Sequence, residues 1–235
     1  MRRAAEGIGA AKAAPRRDLR RCGGCRKKLL AAVQKTSTPV NVAQPPPAGK
    51  SSLPAQPLVS VIVASREEGD EIRQTVDSAL DAATGPLEVL VVDDASKDGS
   101  CDGLSTLGRP GAEVRVLRSE TPLGAGRARN AGFGVARGRV LVSVDAHMRF
   151  PEGIWHVLGA FALEKQAIVC PRLGSMHGGT QGCGADLCFH RDGKIGMDYH
   201  RPEGDAPELV TNPIGACYVI PREIYEALGR YPAMT

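Results

Sequence analysis

A chain of 235 residues with 42% hydrophobic and 4% aromatic content can bury one sizeable core, which implies one folded domain carrying a tail rather than two domains. No run of about eighteen apolar residues occurs and the basic N-terminus lacks the apolar stretch of a secretory signal, so a cytoplasmic chain without a transmembrane segment, at most peripheral to a membrane, is expected. The net charge of +4 is uneven: residues 1–50 hold twelve Lys/Arg against two Asp/Glu, leaving eighteen against twenty-four in the rest.

The N-terminal segment, taken as residues 1–57, is rich in Ala, Arg and Pro and poor in large apolar residues, a composition that favours a flexible or partly helical tail. Loose attachment to anionic partners needs no fold, and nothing here points to specific nucleic-acid binding. Cys22 and Cys25 form a lone Cys-x-x-Cys, too little by itself for a zinc knuckle. The seven cysteines show no framework spacing and are expected as reduced thiols.

From Leu58 the pattern changes. LVSVIVAS is a β-rich apolar run, and in the following EEGDEIRQTVDSALDAA the residues Ile72, Val76, Ala79 and Leu80 recur at helical spacing. LEVLVVDD and AEVRVLRS are expected strands, GRARNAGFGVA a helix and RVLVSVDA a further strand. A helix over residues 153–165 and a strand AIVCP extend the series. Nearly all-apolar strands alternating with helices predict an α/β fold: a mostly parallel, Rossmann-like sheet covered by helices on both faces.

After Pro171 a glycine-rich stretch predicts a mobile loop, and ADLCFH and KIGMDYH flank Arg191-Asp192-Gly193 as a small hairpin region. ELVTNPIGACYVI is expected to be extended, and PREIYEALGRY to begin a helix with Pro221 in its first turn. Cys170, Cys183, Cys188 and Cys217 are expected as inert buried thiols, and Trp155 as a core anchor. His177, Cys183, Cys188, His190 and His200 fit no compact zinc spacing.

Open α/β sheets bind ligands beyond the carboxyl ends of their strands. Here those ends are Ser65-Arg66-Glu67, Asp93-Asp94, Thr121-Pro122-Leu123-Gly124 and Asp145-Ala146-His147. Carboxylates in that position suit an anionic diphosphate only if a cation intervenes. Asp145 and His147 stand two apart, so in extended chain both project to one side and can share a metal; carboxylate with imidazole suits Mn2+, with Mg2+ the alternative. Asp94, and to a lesser degree Asp93, can accept from a base or ribose, although Asp-Ala-Ser-Lys-Asp-Gly also serves as a turn and helix start. Arg127 and Arg129 lie in the first turn of a helix that follows a glycine-rich turn; Arg127 shares a face with Asn130, whereas Arg129 diverges. The first strand lacks the GxGxxG turn of dinucleotide-binding enzymes, and no Walker lysine loop occurs.

In order and spacing, LVSVIVASREEGDEIRQTVDSAL, LEVLVVDDASKDGS and TPLGAGRARNAGFGVARGRVLVSVDAHMRFPEG resemble the GT-A domain of family 2 glycosyltransferases over residues 58–231. The Asp-Ala-His triplet resembles that of polypeptide N-acetylgalactosaminyltransferases, and PIGACYVIPREIYEALGRYP is similar to the family's acceptor-side segment. The resemblance implies a GT-A domain over residues 58–235. It implies nucleoside contacts at Ser65, Arg66, Glu67 and Asp94, diphosphate contacts at Arg127, Arg129 and Asn130, metal at Asp145 and His147, and sugar at Gly215 and Ala216. Ala-Ser-Arg-Glu stands where the family commonly has Pro-x-Tyr-Asn, which sets Arg66 in place of an aromatic contact to the base.

The implied reaction is metal-assisted transfer from a nucleoside diphosphate sugar, UDP-linked by preference, to a hydroxyl of a saccharide, peptide or lipid. Family 2 implies inversion and the Asp-x-His subgroup retention. The acceptor base and a third metal ligand are expected beyond Thr235, on a missing C-terminal part. A noncatalytic donor-binding module and a metal-dependent nucleotidyltransferase are the competing readings.

Overall fold

The computed structural model describes residues 59–175, 182, 184–189, 195–200, 207–213 and 215–229. The expectations for the basic tail, Cys22 and Cys25, His177, Cys183, His190, the turn at residues 191–193 and the chain end lie outside the described residues, as does most of the glycine-rich stretch.

Among the described residues seven strands and four α-helices follow in order: β1 Val59–Ser65, α1 Glu71–Asp81, β2 Leu87–Asp93, β3 Ala112–Arg118, α2 Ala125–Val135, β4 Val140–Val144, α3 Ile154–Lys165, β5 Ala185–Phe189, β6 Ile195–Tyr199, β7 Cys217–Pro221 and α4 Arg222–Ala227. A 3-10 turn, Leu104–Leu107, lies between β2 and β3. The main sheet has the order β3-β2-β1-β4-β7. β1 to β4 are parallel, and β7 runs antiparallel to β4. β5 and β6 form the separate hairpin that the sequence predicts.

Period-two alternation sorts the core into two layers. Val59, Val61 and Val63 of β1 and Leu87, Val89 and Val91 of β2 pack with α1 and with Trp155 and Ala162 of α3. Ile62, Leu90, Val92 and Leu141 face the other way, against Ala128 and Phe133 of α2 and Tyr225 of α4. The sheet is therefore covered on both faces. Trp155 is fully buried and its indole N–H donates to the Ala79 carbonyl at 2.9 Å, as a core anchor requires. Gly132 lets α2 approach closely: a Cβ there would lie 2.6 Å from Ile62 Cγ2 and 2.9 Å from Val92 Cγ2.

AIVCP does not form the expected strand. Val169 and Val219 exchange one pair of backbone hydrogen bonds, at 2.9 and 2.7 Å, and Pro171, two residues on, has no N–H to extend the ladder. Pro221 closes β7 and stands as the N-cap of α4 rather than inside its first turn.

The strand order places a reversal between β1 and β4: the chain leaves β1 towards β2 and β3, then returns through α2 to pair β4 with β1's other edge. That reversal is a topological switch point, and doubly wound sheets bind their ligands in the crevice beyond the carboxyl ends of the strands there, here β1 and β4.

Candidate functional site

Ser65 pairs in register with Asp93, and Asp93 with Arg118, so the ends of β1, β2 and β3 form one rim. Beyond β1 the chain turns sharply, with Glu67 at φ 56°. Two residues after β2 hold this turn: the Glu67 N–H donates to Ser96 Oγ at 3.0 Å and the Gly69 N–H to Asp98 Oδ2 at 3.1 Å. The Asp98 carboxyl is held below its usual range, first by its hydrogen bonds from Ser100. Ser65 is buried, whereas Arg66 and Glu67 are exposed.

The two carboxylates of the VDD doublet have separate partners. Asp93 is fully buried; its Oδ1 accepts the Ser96 N–H at 2.9 Å and its Oδ2 the Arg118 Nε–H at 2.8 Å. Asp94 Oδ1 accepts the Leu123 N–H at 2.5 Å and its Oδ2 the Gly124 N–H at 3.0 Å. Those amides open α2, whose N-cap Gly124 has φ 82° and no capping side chain. Asp94, one residue past β2, thus supplies the negative charge that a helix N-terminus attracts.

On α2 the two arginines take different directions. Arg127 is exposed and its Nε–H donates to the Leu123 carbonyl at 2.7 Å. Arg129 reaches across to β4, where a guanidinium NH2 group meets Asp145 Oδ1 at 2.8 Å. The pair is half-buried, with 18% of the Arg129 and 32% of the Asp145 side chain exposed, and Arg129 Nε–H is buried without a hydrogen-bond acceptor. Asn130 turns to the other side of α2 and accepts from the Tyr225 hydroxyl at 2.9 Å, tying α2 to α4.

The segment after β4 is anchored from α1. Buried Thr75 donates its hydroxyl to the Ala146 carbonyl at 2.8 Å and accepts the Met148 N–H at 3.0 Å, so the backbone on both sides of His147 is fixed. Ser78 accepts the Phe150 N–H at 2.8 Å. His147 itself is 56% exposed, and its Nδ1 lies 3.3 Å from Glu68 Oε2. From the far side, the Asp145 N–H donates to the Ala216 carbonyl at 2.9 Å, which puts Gly215 and Ala216 beside Asp145. Burial, then the neighbouring Cys170 and Asp145, push the thiol of Cys217 up to about 12, so it stays protonated as an inert core residue.

The structure therefore brings Arg129, Asp145, Gly215 and Ala216 together, with His147 one turn of chain away and Ser65 to Glu67 across the switch point from them. Asn130 faces α4 instead, and both Asp93 oxygens are engaged within the rim. Glu68, Thr75, Ser96 and Arg118 shape the site without having stood out in the sequence. The only signal for Glu68 was the second acidic residue in Arg-Glu-Glu. Among the described residues no group of three or more His, Cys, Asp or Glu side chains converges as a metal cluster.

Comparisons with known proteins agree with this architecture. The family model described as glycosyl transferase family 2 matches residues 60–229. The succinoglycan biosynthesis protein ExoO of Rhizobium meliloti is 37% identical over 90 residues, 38% of this chain and 25% of that protein. The chain spans about a quarter to a third of the length of such curated relatives. Among solved structures, S. aureus TarS superposes with a TM-score of 0.56 at 20% identity over 75% of this chain and 50% of that one. GalNAc-T7, solved with UDP, GalNAc and Mn2+, superposes with a TM-score of 0.55 at 21% identity over 76% of this chain and 37% of that one. Both share the fold.

Proposed function

The chain belongs to glycosyl transferase family 2, and from that premise we propose that its crevice binds a nucleoside diphosphate sugar, UDP-linked by preference, for transfer of the sugar to a hydroxyl. The observation that carries the proposal is the Arg129–Asp145 pair at the carboxyl end of β4, beside the switch point. A cation and a carboxylate meet there where the sheet topology favours a ligand. The acceptor class is a saccharide, peptide or lipid.

In this reading residues 58–235 form the donor-binding domain. Ser65, Arg66 and Glu67 border the nucleoside, and Asp94 shapes its wall by holding α2 in place. Asp93 acts beneath that wall, through Ser96 and Arg118. Arg127, exposed at the first turn of α2, and Arg129 supply positive charge to the diphosphate. Asn130 contributes by setting the angle of α2 against α4 rather than by direct contact. Gly215 and Ala216, held to Asp145 by a backbone hydrogen bond, line the sugar end.

The donor set suits a divalent first-row ion: Asp145 offers a carboxylate and His147 an imidazole, and positions left open would take phosphate oxygens. Mn2+ is the proposed cofactor, with Mg2+ the alternative; the GalNAc-T7 structure with UDP and Mn2+ supports the choice. When bound, the metal supplies Lewis-acid neutralisation of charge on the departing diphosphate. Arg129 already offsets the Asp145 charge, and its buried Nε–H is left without a hydrogen-bond acceptor.

Calorimetric titration with UDP and GDP, with and without Mn2+, tests the proposal on the wild-type chain and on Asp145→Ala and His147→Ala. Metal-dependent UDP binding that weakens by tenfold or more in both variants is expected, because each removes one of two protein donors. Metal-independent binding, or equal binding by wild type and variants, would overturn the assignment.

A further inference from the structure

We infer that Glu68 is a positioning residue for His147: its carboxylate accepts the Nδ1–H of the imidazole and so presents Nε2 to the divalent cation. This rests on the proposed role of His147 as a metal ligand and goes beyond it by assigning what aims the ring.

Three observations carry the inference. First, the backbones of both residues are fixed independently of their side chains. Thr75 clamps the chain on either side of His147, while Ser96 and Asp98 accept the N–H groups on either side of Glu68 and the Glu68 carbonyl accepts the Glu71 N–H at 3.1 Å. Only side-chain torsions remain to be set. Second, His147 is 56% exposed, so packing does little to hold its ring; Glu68, 29% exposed, reaches Nδ1 at 3.3 Å. An exposed histidine–carboxylate pair contributes little to stability, so a structural role accounts for it poorly. Third, Glu68, Asp145 and His147 do not converge as a three-ligand cluster. Glu68 therefore meets the His147 ring without completing a shared three-residue shell with Asp145.

The chemistry follows from the two ring nitrogens. In neutral imidazole one nitrogen donates and the other accepts. A carboxylate at Nδ1 selects the tautomer with the proton there and leaves the Nε2 lone pair for a cation. Carboxylate partners of this kind fix ring orientation, and their removal typically weakens metal binding about 10–100-fold. The arrangement also couples two segments 79 residues apart, the turn after β1 and the segment after β4, across the switch point.

The test is a double-mutant cycle on Mn2+ affinity, read from the electron paramagnetic resonance signal of free Mn2+ in the presence of UDP, on the full chain. The proteins are wild type, Glu68→Ala, Glu68→Gln, His147→Ala and Glu68→Ala/His147→Ala, each checked for folding by circular dichroism. Glu68→Ala is expected to weaken Mn2+ binding about tenfold. Glu68→Gln should restore most of it, because the amide oxygen still accepts the Nδ1–H, and Glu68→Ala should add nothing in the His147→Ala background. Equal losses in both backgrounds would overturn the inference by making Glu68 a ligand or a general electrostatic contributor. Full affinity in Glu68→Ala beside weakened His147→Ala would overturn it while leaving the metal assignment standing. Full affinity in His147→Ala would remove both.

Discussion

Asp94 holds the start of α2 from a different element. The helix begins at an N-cap, Gly124, that has no capping side chain, and the carboxylate of Asp94 accepts the N–H of that N-cap and of Leu123 just before it. Asp94→Ala should therefore destabilise the fold by about 1–3 kcal/mol, since it leaves two partly buried donors without an acceptor. Urea denaturation reads the loss, and faster amide exchange confined to Leu123 and Gly124 would locate it; unchanged exchange there would show that water replaces the carboxylate. The same residue marks how far a sequence can be read. That VDD closes a buried strand is visible from composition, and so is its place on the ligand side of the sheet. Which carboxylate pairs with Arg118 and which holds the Leu123 and Gly124 amides is fixed only by tertiary structure. Glu68 and His147 were separated by the same barrier.

Two of the three glycines in helix α2, Gly132 and Gly134, should respond in opposite ways to the same substitution. At Gly132 a methyl group would meet Ile62 Cγ2 at 2.6 Å and Val92 Cγ2 at 2.9 Å, whereas at Gly134 it would meet nothing within 4 Å. Gly132→Ala should cost about 1–3 kcal/mol through overpacking. Gly134→Ala should add roughly 0.5–1 kcal/mol through helix propensity. Denaturant midpoints of the two variants, with unchanged slopes, check both signs. At this scale much was legible: the apolar strands β1 to β4 and the 72, 76, 79, 80 stripe of α1 announce themselves by period, and burial follows that stripe. Strand direction was not. β7 has the same apolar pattern as a parallel strand, and only its pairing with β4 shows that it runs the other way.

For the whole molecule, acid sensitivity should come largely from a cluster at the opposite end of the sheet from the crevice. Glu88 is fully buried at the start of β2. Its Oε2 accepts the Ser60 hydroxyl at 2.6 Å and the Arg137 N–H at 2.8 Å, while its Oε1 accepts from Arg115 at 2.7 Å and Arg137 Nε at 2.9 Å. Burial pushes this carboxyl upward, but the Ser60, Arg137 and Arg115 hydrogen bonds and the Arg137 charge outweigh it and hold the group below its ordinary range. A carboxyl depressed in the folded state stabilises fully above its unfolded value of about 4.3, and that contribution is lost as pH falls through the folded value. Glu88→Gln should thus be less stable than wild type at pH 7 and lose less further stability below about pH 4. Parallel pH–stability curves for the two proteins would show that other carboxylates govern acid unfolding. The antiparallel seventh strand has a consequence for biosynthesis. β4 gains its second neighbour only when Cys217–Pro221 has been made, some seventy residues after Val144. At about 5–20 residues per second, a nascent chain passes several seconds with the edge beside Asp145 bare. During that interval the edge is open to the wrong strand, and the Ala216 carbonyl that accepts the Asp145 N–H has not yet been supplied.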